Sequence, residues 1–383
     1  MSSSFVPYGR QIVDDDDIAA VVEALRGDWL TSGPAVGRFE AAFAEFVGAA
    51  HAVAVSNGTA ALHLAMLAAD IGPGDEVIVP ALTFAASANC VRYVGGRVVF
   101  ADVDTETLTI DVAHAASLIT PRTRAIVAVD YAGLPADLTA LRALADRHGL
   151  HFVEDACHAP GATCDGRTVG SVADASTFSF HPVKHITTGE GGMITTSSAA
   201  LAARCRTLRN HGIATDARSR EASGTWAYDM VELGYNYRLT DLQCVLGLSQ
   251  LRKLPAWLER RRAIAARYDA AFASEPRLRR QHVPANRTHA WHLYPVRVCT
   301  RDAAGARQAV HAALRAAGIH ANVHYRPVYL HSAYRSLGYE PGLCPVAESA
   351  YDALLSLPMW PGLAESDQDR VIDIVCSELS RHV

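Results

Sequence analysis

A chain of 383 residues that is 50% hydrophobic and 7% aromatic has apolar mass for one large core, or for a large and a small domain, and is too apolar to be disordered over most of its length. Its 35 basic and 40 acidic residues give a net charge of -5 and are spread along the sequence, so no basic stripe exists to neutralise a phosphate backbone and nucleic acid is not expected as a partner. No apolar run is long enough to cross a bilayer, the first ten residues lack a signal-peptide pattern, and the 8 cysteines form no CxxC or Cys/His spacing, so a cytoplasmic chain with reduced thiols, no metal and no membrane association is expected.

Asp14 to Asp17 place carboxylates at the head of an apolar-periodic stretch ending near Gly27, the pattern of a helix start and stop, and a second helix is expected from about Val36. From His51, short β-rich runs at 52–55, 76–80, 97–103, 125–130 and 151–155 alternate with amphipathic stretches such as 60–69, 138–147 and 199–209. That alternation predicts a mostly parallel sheet covered by helices on both faces. After Thr240 a long Arg-rich helical stretch, 242 to about 273, reads as the connector into a smaller domain. There, strand-like runs at 291–298 and 320–325 flank a helix over 303–317, and helices near 346–355 and 366–379 close the chain. The expected division is a large domain over 1–245 and a small C-terminal domain over 246–383.

The stretch 178–192, FSFHPVKHITTGEGG, sets a lone lysine, Lys184, between a β-like run and a glycine cluster. A Schiff-base lysine needs a flexible, partly desolvated amine and room for a flat cofactor against the backbone, which Gly189, Gly191 and Gly192 would supply. A surface lysine before a glycine hairpin would look the same. Asp155, at the end of a strand, stands where open α/β sheets build ligand sites, although Asp there can equally cap the next helix. The segment 55–60, VSNGTA, is a strand, a glycine turn and a helix start, an arrangement that offers N–H groups to a phosphate. Phe84, at the end of the next strand, could stack on a flat ring or pack in the core.

These segments in this order resemble the DegT-type family of nucleotide-sugar aminotransferases, a branch of the fold-type I pyridoxal-phosphate (PLP) enzymes. The match begins at 30–34 (LTSGP), runs through 58–62 (GTAAL), 72–80 (GPGDEVIVP) and 154–159 (EDACHA), and ends at 356–358 (SLP). The resemblance implies a seven-stranded, mostly parallel sheet domain, a smaller C-terminal α/β domain and pyridoxal 5'-phosphate as cofactor. It implies Lys184 as the Schiff-base lysine and proton carrier, Asp155 on the pyridine nitrogen, His158 beside the ring near its 3-oxygen and Phe84 on the ring face. Thr59, Ala60 and Ser179 would hold the phosphate, and Asn236 would reach the cofactor phosphate of a neighbouring subunit, so a homodimer with shared active sites is implied. His158 stands where many members carry glutamine. One branch of the family has histidine in place of the lysine and dehydrates its sugar; lysine at 184 implies transamination.

The segments 180–184 (FHPVK), 236–241 (NYRLTD), 290–294 (AWHLY) and 322–325 (NVHY) resemble, more narrowly, the transaminases of pseudaminic acid biosynthesis. That resemblance implies transfer of an amino group from L-glutamate to the C4 keto group of a UDP-4-keto-6-deoxy-N-acetylhexosamine, UDP-4-keto-6-deoxy-β-L-AltNAc. A diphosphate needs cationic or donor groups, and Arg209, His211, Arg238, Tyr325 and Arg326 are the candidates; each could instead be a surface residue or a structural ion pair. The competing substrates are UDP-4-keto-6-deoxy-D-GlcNAc and a 4-keto-pentose, since one or two side chains can read a hydroxyl configuration. A PLP-binding sensor without turnover is the alternative from another class.

Overall fold

In the computed structural model, which describes residues 5–215, 220 and 222–382, the strands of the first half follow in order as β1 (His51–Val55), β2 (Glu76–Pro80), β3 (Arg97–Ala101), β4 (Thr123–Val129) and β5 (His151–Asp155), then the short hairpin β6 (Thr163–Cys164) and β7 (Arg167–Thr168), then β8 (Ala175–Ser179) and β9 (Gly192–Thr196). Apart from the hairpin they form one seven-stranded sheet in the order β1-β9-β8-β5-β4-β2-β3. Only β9 runs against the others, inserted between β1 and β8. The strands read as unbroken apolar runs because both faces are covered. Val53, Val77, Val79, Val127 and Val153 face one apolar layer, and Ala52, Ile78, Ile126 and Phe152 face the other. This parallel topology brings the carboxyl ends of β1, β2, β4, β5 and β8, with the first residue of β9, to a single edge.

A second sheet, antiparallel, contains β10 (Leu278–Arg280), β11 (Tyr294–Val298) and β12 (Leu354–Leu357), packed with helices Ala303–Ala316 and Glu365–Leu379 around its own core. The helix Asp241–Ala271 joins the two: Cys244, Leu251, Leu254 and Leu258 pack in the main core, Ile264, Ala265 and Tyr268 in the second. Residues 245 and 246, the expected boundary, lie inside this helix. Val6 pairs with Ile319 and packs in the second core, so this residue belongs with the C-terminal unit although it lies far from it in sequence.

Two C-terminal expectations differ from the structure. The run 320–325 is no strand; Asn322 makes one bridge to Ser356 and the chain then turns toward the main sheet. The stretch near 346–355 is helix only over Pro345–Ala353 and continues directly as β12, because a short apolar run carries no period that separates strand from helix. Among the described residues no helix is long and apolar enough to cross a membrane.

Candidate active site

At the sheet edge where the strands end lies a cleft of about 740 Å3, lined among others by Gly58, Thr59, Phe84, Asp155, His158 and Lys184. Lys184 follows β8 in a tight turn, its N–H on the His181 carbonyl at 2.8 Å. Among the described residues its ammonium makes no hydrogen bond or ion pair. Burial lowers its pKa, opposed by the nearby Cys157 and Asp155, so the amine is poised to lose its proton more readily than a surface lysine.

Asp155 ends β5 and is nearly buried. Ser87, on the helix Ala86–Tyr93, donates its hydroxyl to Asp155 Oδ2 at 2.6 Å and is itself paired with Thr83 at 2.8 Å. The Cys157 N–H reaches Oδ1 at 3.3 Å. One carboxylate is thereby held in a fixed direction by a charge-assisted hydrogen bond.

Across the cleft, the helix Gly58–Ala68 begins directly after β1. Asn57 caps it, accepting the Ala60 N–H at 2.8 Å, which leaves the N–H groups of Gly58 and Thr59 as the first-turn donors without an intrahelical acceptor. Neighbouring chain presses closely on this turn. A Cβ on Gly58 would stand 3.0 Å from Ser179 Cβ and 3.2 Å from Cys157 Sγ, and one on Gly192 would stand 2.5 Å from the Asn57 carbonyl. Glycine at both positions lets Ser179 and the start of β9 meet the helix start.

The remaining wall is aromatic. Tyr325 meets the His158 Nε2 at 3.2 Å and lies 6.0 Å, ring to ring, from the exposed Phe84. Behind His158 lies His292 at 4.3 Å between ring centroids, then His185 at 5.6 Å from His292. Burial pushes all three imidazoles well below their ordinary pKa, and the charge of Lys184 pushes the same way, so they are neutral at neutral pH. The fully buried Arg261 holds the turn that carries His292, donating to the main-chain oxygens of Trp291, His292 and Met359.

The structure thus gathers Lys184, Asp155, Thr59, Ala60, Phe84, His158 and Ser179 around one cleft, with Tyr325 at its edge. It does not bring the other expected residues into that wall. Arg209 bonds Glu40 at 2.5 Å and the Ala54 carbonyl at 2.6 Å, a structural ion pair that leaves its guanidinium committed. Arg238 donates to Asn210 Oδ1 at 2.9 Å, and the exposed Arg326 to the Leu330 carbonyl at 2.8 Å. His211 and Asn236 are exposed and do not line the cleft, although the neighbours of Asn236, Tyr235 and Tyr237, do. Sequence reasoning missed Ser87, Thr83, Cys157 and the aromatic group His63, Tyr93, Tyr235 and Tyr237. The two last flank Asn236 in its motif and could have been found there; Ser87 carries no local signal.

A buried amine, a fixed carboxylate, free N–H groups at a helix start and a cleft edged by aromatic side chains are what a phosphorylated aromatic aldehyde requires, so the residues present fit such a cofactor. The fold and this cleft define a PLP-dependent sugar aminotransferase. The chain belongs to the DegT/DnrJ/EryC1/StrS aminotransferase family, whose model matches residues 11–376.

It is 43% identical over 374 residues to the spore coat polysaccharide biosynthesis protein SpsC of Bacillus subtilis, covering 97% of this chain and 96% of that one. Among solved structures it is similar to the putative sugar aminotransferase Spr1654 of Streptococcus pneumoniae in its PMP form, with TM-score 0.93, 31% identity and coverage of 98% of this chain and 99% of that one. The PLP form of Spr1654 has also been solved. It is likewise similar to Helicobacter pylori PseC, an aminotransferase involved in the biosynthesis of pseudoaminic acid, with TM-score 0.92, 31% identity and coverage of 99% and 100%.

Proposed function

We propose that this aminotransferase moves an amino group from L-glutamate to the C4 keto group of a UDP-4-keto-6-deoxy-N-acetylhexosamine, with UDP-4-keto-6-deoxy-β-L-AltNAc as the substrate. The observation that carries the reading is convergence. Four segments far apart in sequence, around Lys184, Tyr235 to Tyr237, His292 and Tyr325, meet at the cleft or directly behind it, and these are the segments that resemble the pseudaminic acid transaminases. The similarity to PseC supports it further.

When bound, PLP supplies an aldehyde that takes up an amino group and a ring that accepts electrons from the substrate carbon. Lys184 would hold that aldehyde, and its Nζ, with a burial-lowered pKa, would carry the proton in both half-reactions. Asp155, steadied by Ser87, would hold the ring nitrogen in its protonated form. The Gly58 and Thr59 N–H groups with Ser179 would hold the phosphate, Ala60 would close that turn, and Phe84 and neutral His158 would hold the ring. Tyr325 would meet the sugar nucleotide, with Arg238, His211 and Arg326 as the donor groups for its diphosphate, while Arg209 serves the fold. Asn236 would complete the site of a second copy, the enzyme acting as a cytoplasmic homodimer. Glutamate enters and 2-oxoglutarate leaves before the sugar binds, a ping-pong order.

The test is a panel of UDP-linked 4-keto-sugars offered with L-glutamate, products resolved by NMR, with Lys184→Ala as the blank. Amination of the L-altro compound is expected. Preferential amination of UDP-4-keto-6-deoxy-D-GlcNAc or of the 4-keto-pentose would reassign the substrate, and binding of PLP without turnover of any sugar would leave the sensor reading.

A further inference from the structure

Beneath the cleft, Asp130 follows β4 and Glu154 lies on β5, and both are completely buried. Each carboxyl has one satisfied oxygen. Asp130 Oδ1 accepts the Ala136 N–H at 3.0 Å; Glu154 Oε2 accepts the Ser176 hydroxyl at 2.5 Å and the Gly170 N–H at 3.1 Å. The other two oxygens, Asp130 Oδ2 and Glu154 Oε1, receive no donor from any described residue, and the strand register makes the two residues neighbours, since Glu154 pairs with Ala128, two positions before Asp130. No lysine, arginine or histidine among the described residues bonds either one. The titratable groups facing the pair are Asp155 and Cys157, neither of which supplies positive charge.

Two buried carboxylates in contact, with no cation, would carry a desolvation cost and a mutual repulsion that nothing here offsets. We propose that Asp130 and Glu154 share one proton between Oδ2 and Oε1, and that this acid–carboxylate pair is a positioning device for Asp155. The proton acts as the missing donor for both oxygens. It ties the end of β4 to the end of β5, where the Asp130 N–H also donates to the Asp155 carbonyl at 3.1 Å. Burial pushes both carboxyls above their ordinary values, with repulsion from Glu154 adding to the rise at Asp130 and repulsion from Asp155 adding to that at Glu154, in keeping with a retained proton. The part played by Asp155 rests on the active-site reading above; the shared proton does not.

The pair predicts a spectroscopic sign and a pH sign. Infrared spectra of the full-length chain at neutral pH, without added cofactor, should contain the carbonyl stretch of a protonated carboxyl that is lost in both Asp130→Asn and Glu154→Gln. Because the folded pKa is raised, the stabilisation is complete below the ordinary values of 3.8 and 4.5 and is lost as pH rises through the folded value. Asp130→Asn replaces the proton by an amide N–H that does not titrate. Its Tm should therefore gain on the wild type by on the order of 2–4 °C as pH goes from neutral to alkaline, whereas Asp130→Ala, which leaves Glu154 Oε1 without a donor, should melt lower at every pH. Absence of the acid carbonyl band in the wild type overturns the proposal even if neither amide variant folds, and so do identical pH slopes for wild type and Asp130→Asn. PLP absorbance on the same samples separates the two readings: cofactor bound without the band removes the pair alone, and the band without cofactor binding removes the role of Asp155 alone.

Discussion

Asp155 is a catalytic candidate only because Ser87 holds it. A hydrogen bond from a hydroxyl to a carboxylate contributes about 1.5–3 kcal/mol, and here it also fixes the carboxylate at Oδ2. Ser87→Ala is therefore expected to lower kcat by roughly 10- to 100-fold while changing KM for the sugar little, with the absorption of the bound cofactor altered. Stopped-flow and spectral titration would measure both, and an unchanged kcat would show that Cys157 N–H and the strand end suffice to aim the carboxylate. Lys184 and Asp155 could be read from the order of the motifs along the chain, though not from their own segments, where a surface lysine and a helix cap would look the same. Ser87 could not, because it stands 68 positions from its partner and meets it only where the helix after β2 crosses the end of β5.

The phosphate-binding candidate is the first turn of Gly58–Ala68, and its shape depends on β9 lying hard against it. Adding one methyl at Gly192 would set a carbon 2.5 Å from the Asn57 carbonyl, a contact that only backbone movement can relieve. Gly192→Ala should lower Tm by several degrees and weaken PLP binding at least about tenfold, because the displaced turn carries the Gly58 and Thr59 donors. Equilibrium dialysis against PLP and calorimetry would check this, and unchanged affinity would place the phosphate elsewhere. A second element, Asp241, heads the connector helix and accepts the N–H groups of Gly33 at 2.6 Å and Ala35 at 2.9 Å, so it caps the neighbouring helix Pro34–Val47 while Thr240 caps its own. The N-terminal helix starts were visible as sequence patterns. That one helix caps another was not.

For the molecule as a whole, pH and assembly give two expectations. Besides His158, His185 and His292, burial lowers His289 to about 3 and His324 to about 4, from an ordinary 6.5. Groups with depressed folded values contribute stability that is present above 6.5 and is lost as pH falls through the folded values, so Tm should drop steeply between 6.5 and the range of 4 to 3. A flat Tm over that window would mean that the charged rings find hydrogen-bond acceptors or anionic partners in the fold. Assembly concerns the exposed apolar side chains Trp226, Tyr228, Met230, Val231 and Leu233, which lie just before Asn236 and form the kind of surface a second copy would cover. If Asn236 serves the other copy, inactive Lys184→Ala and Asn236→Ala chains mixed in equal amounts should regain about a quarter of wild-type activity, since half the dimers then hold one intact site of two. No regain on mixing, or a monomer by sedimentation, would end the shared-site reading.

Local order was legible without coordinates: alternating apolar runs announced buried parallel strands, acidic and glycine punctuation announced helix ends, and motif order announced an amine, an acid and a phosphate turn. These follow from forces acting over a few residues, namely side-chain period, capping and backbone freedom. Tertiary packing alone decided the capture of Arg209 by Glu40, the grip of Ser87 on Asp155, the neutral histidines behind the lysine and the meeting of Asp130 with Glu154. Each depends on which strands lie side by side and on how completely water is removed between them, and neither is written in the spacing of residues along the chain.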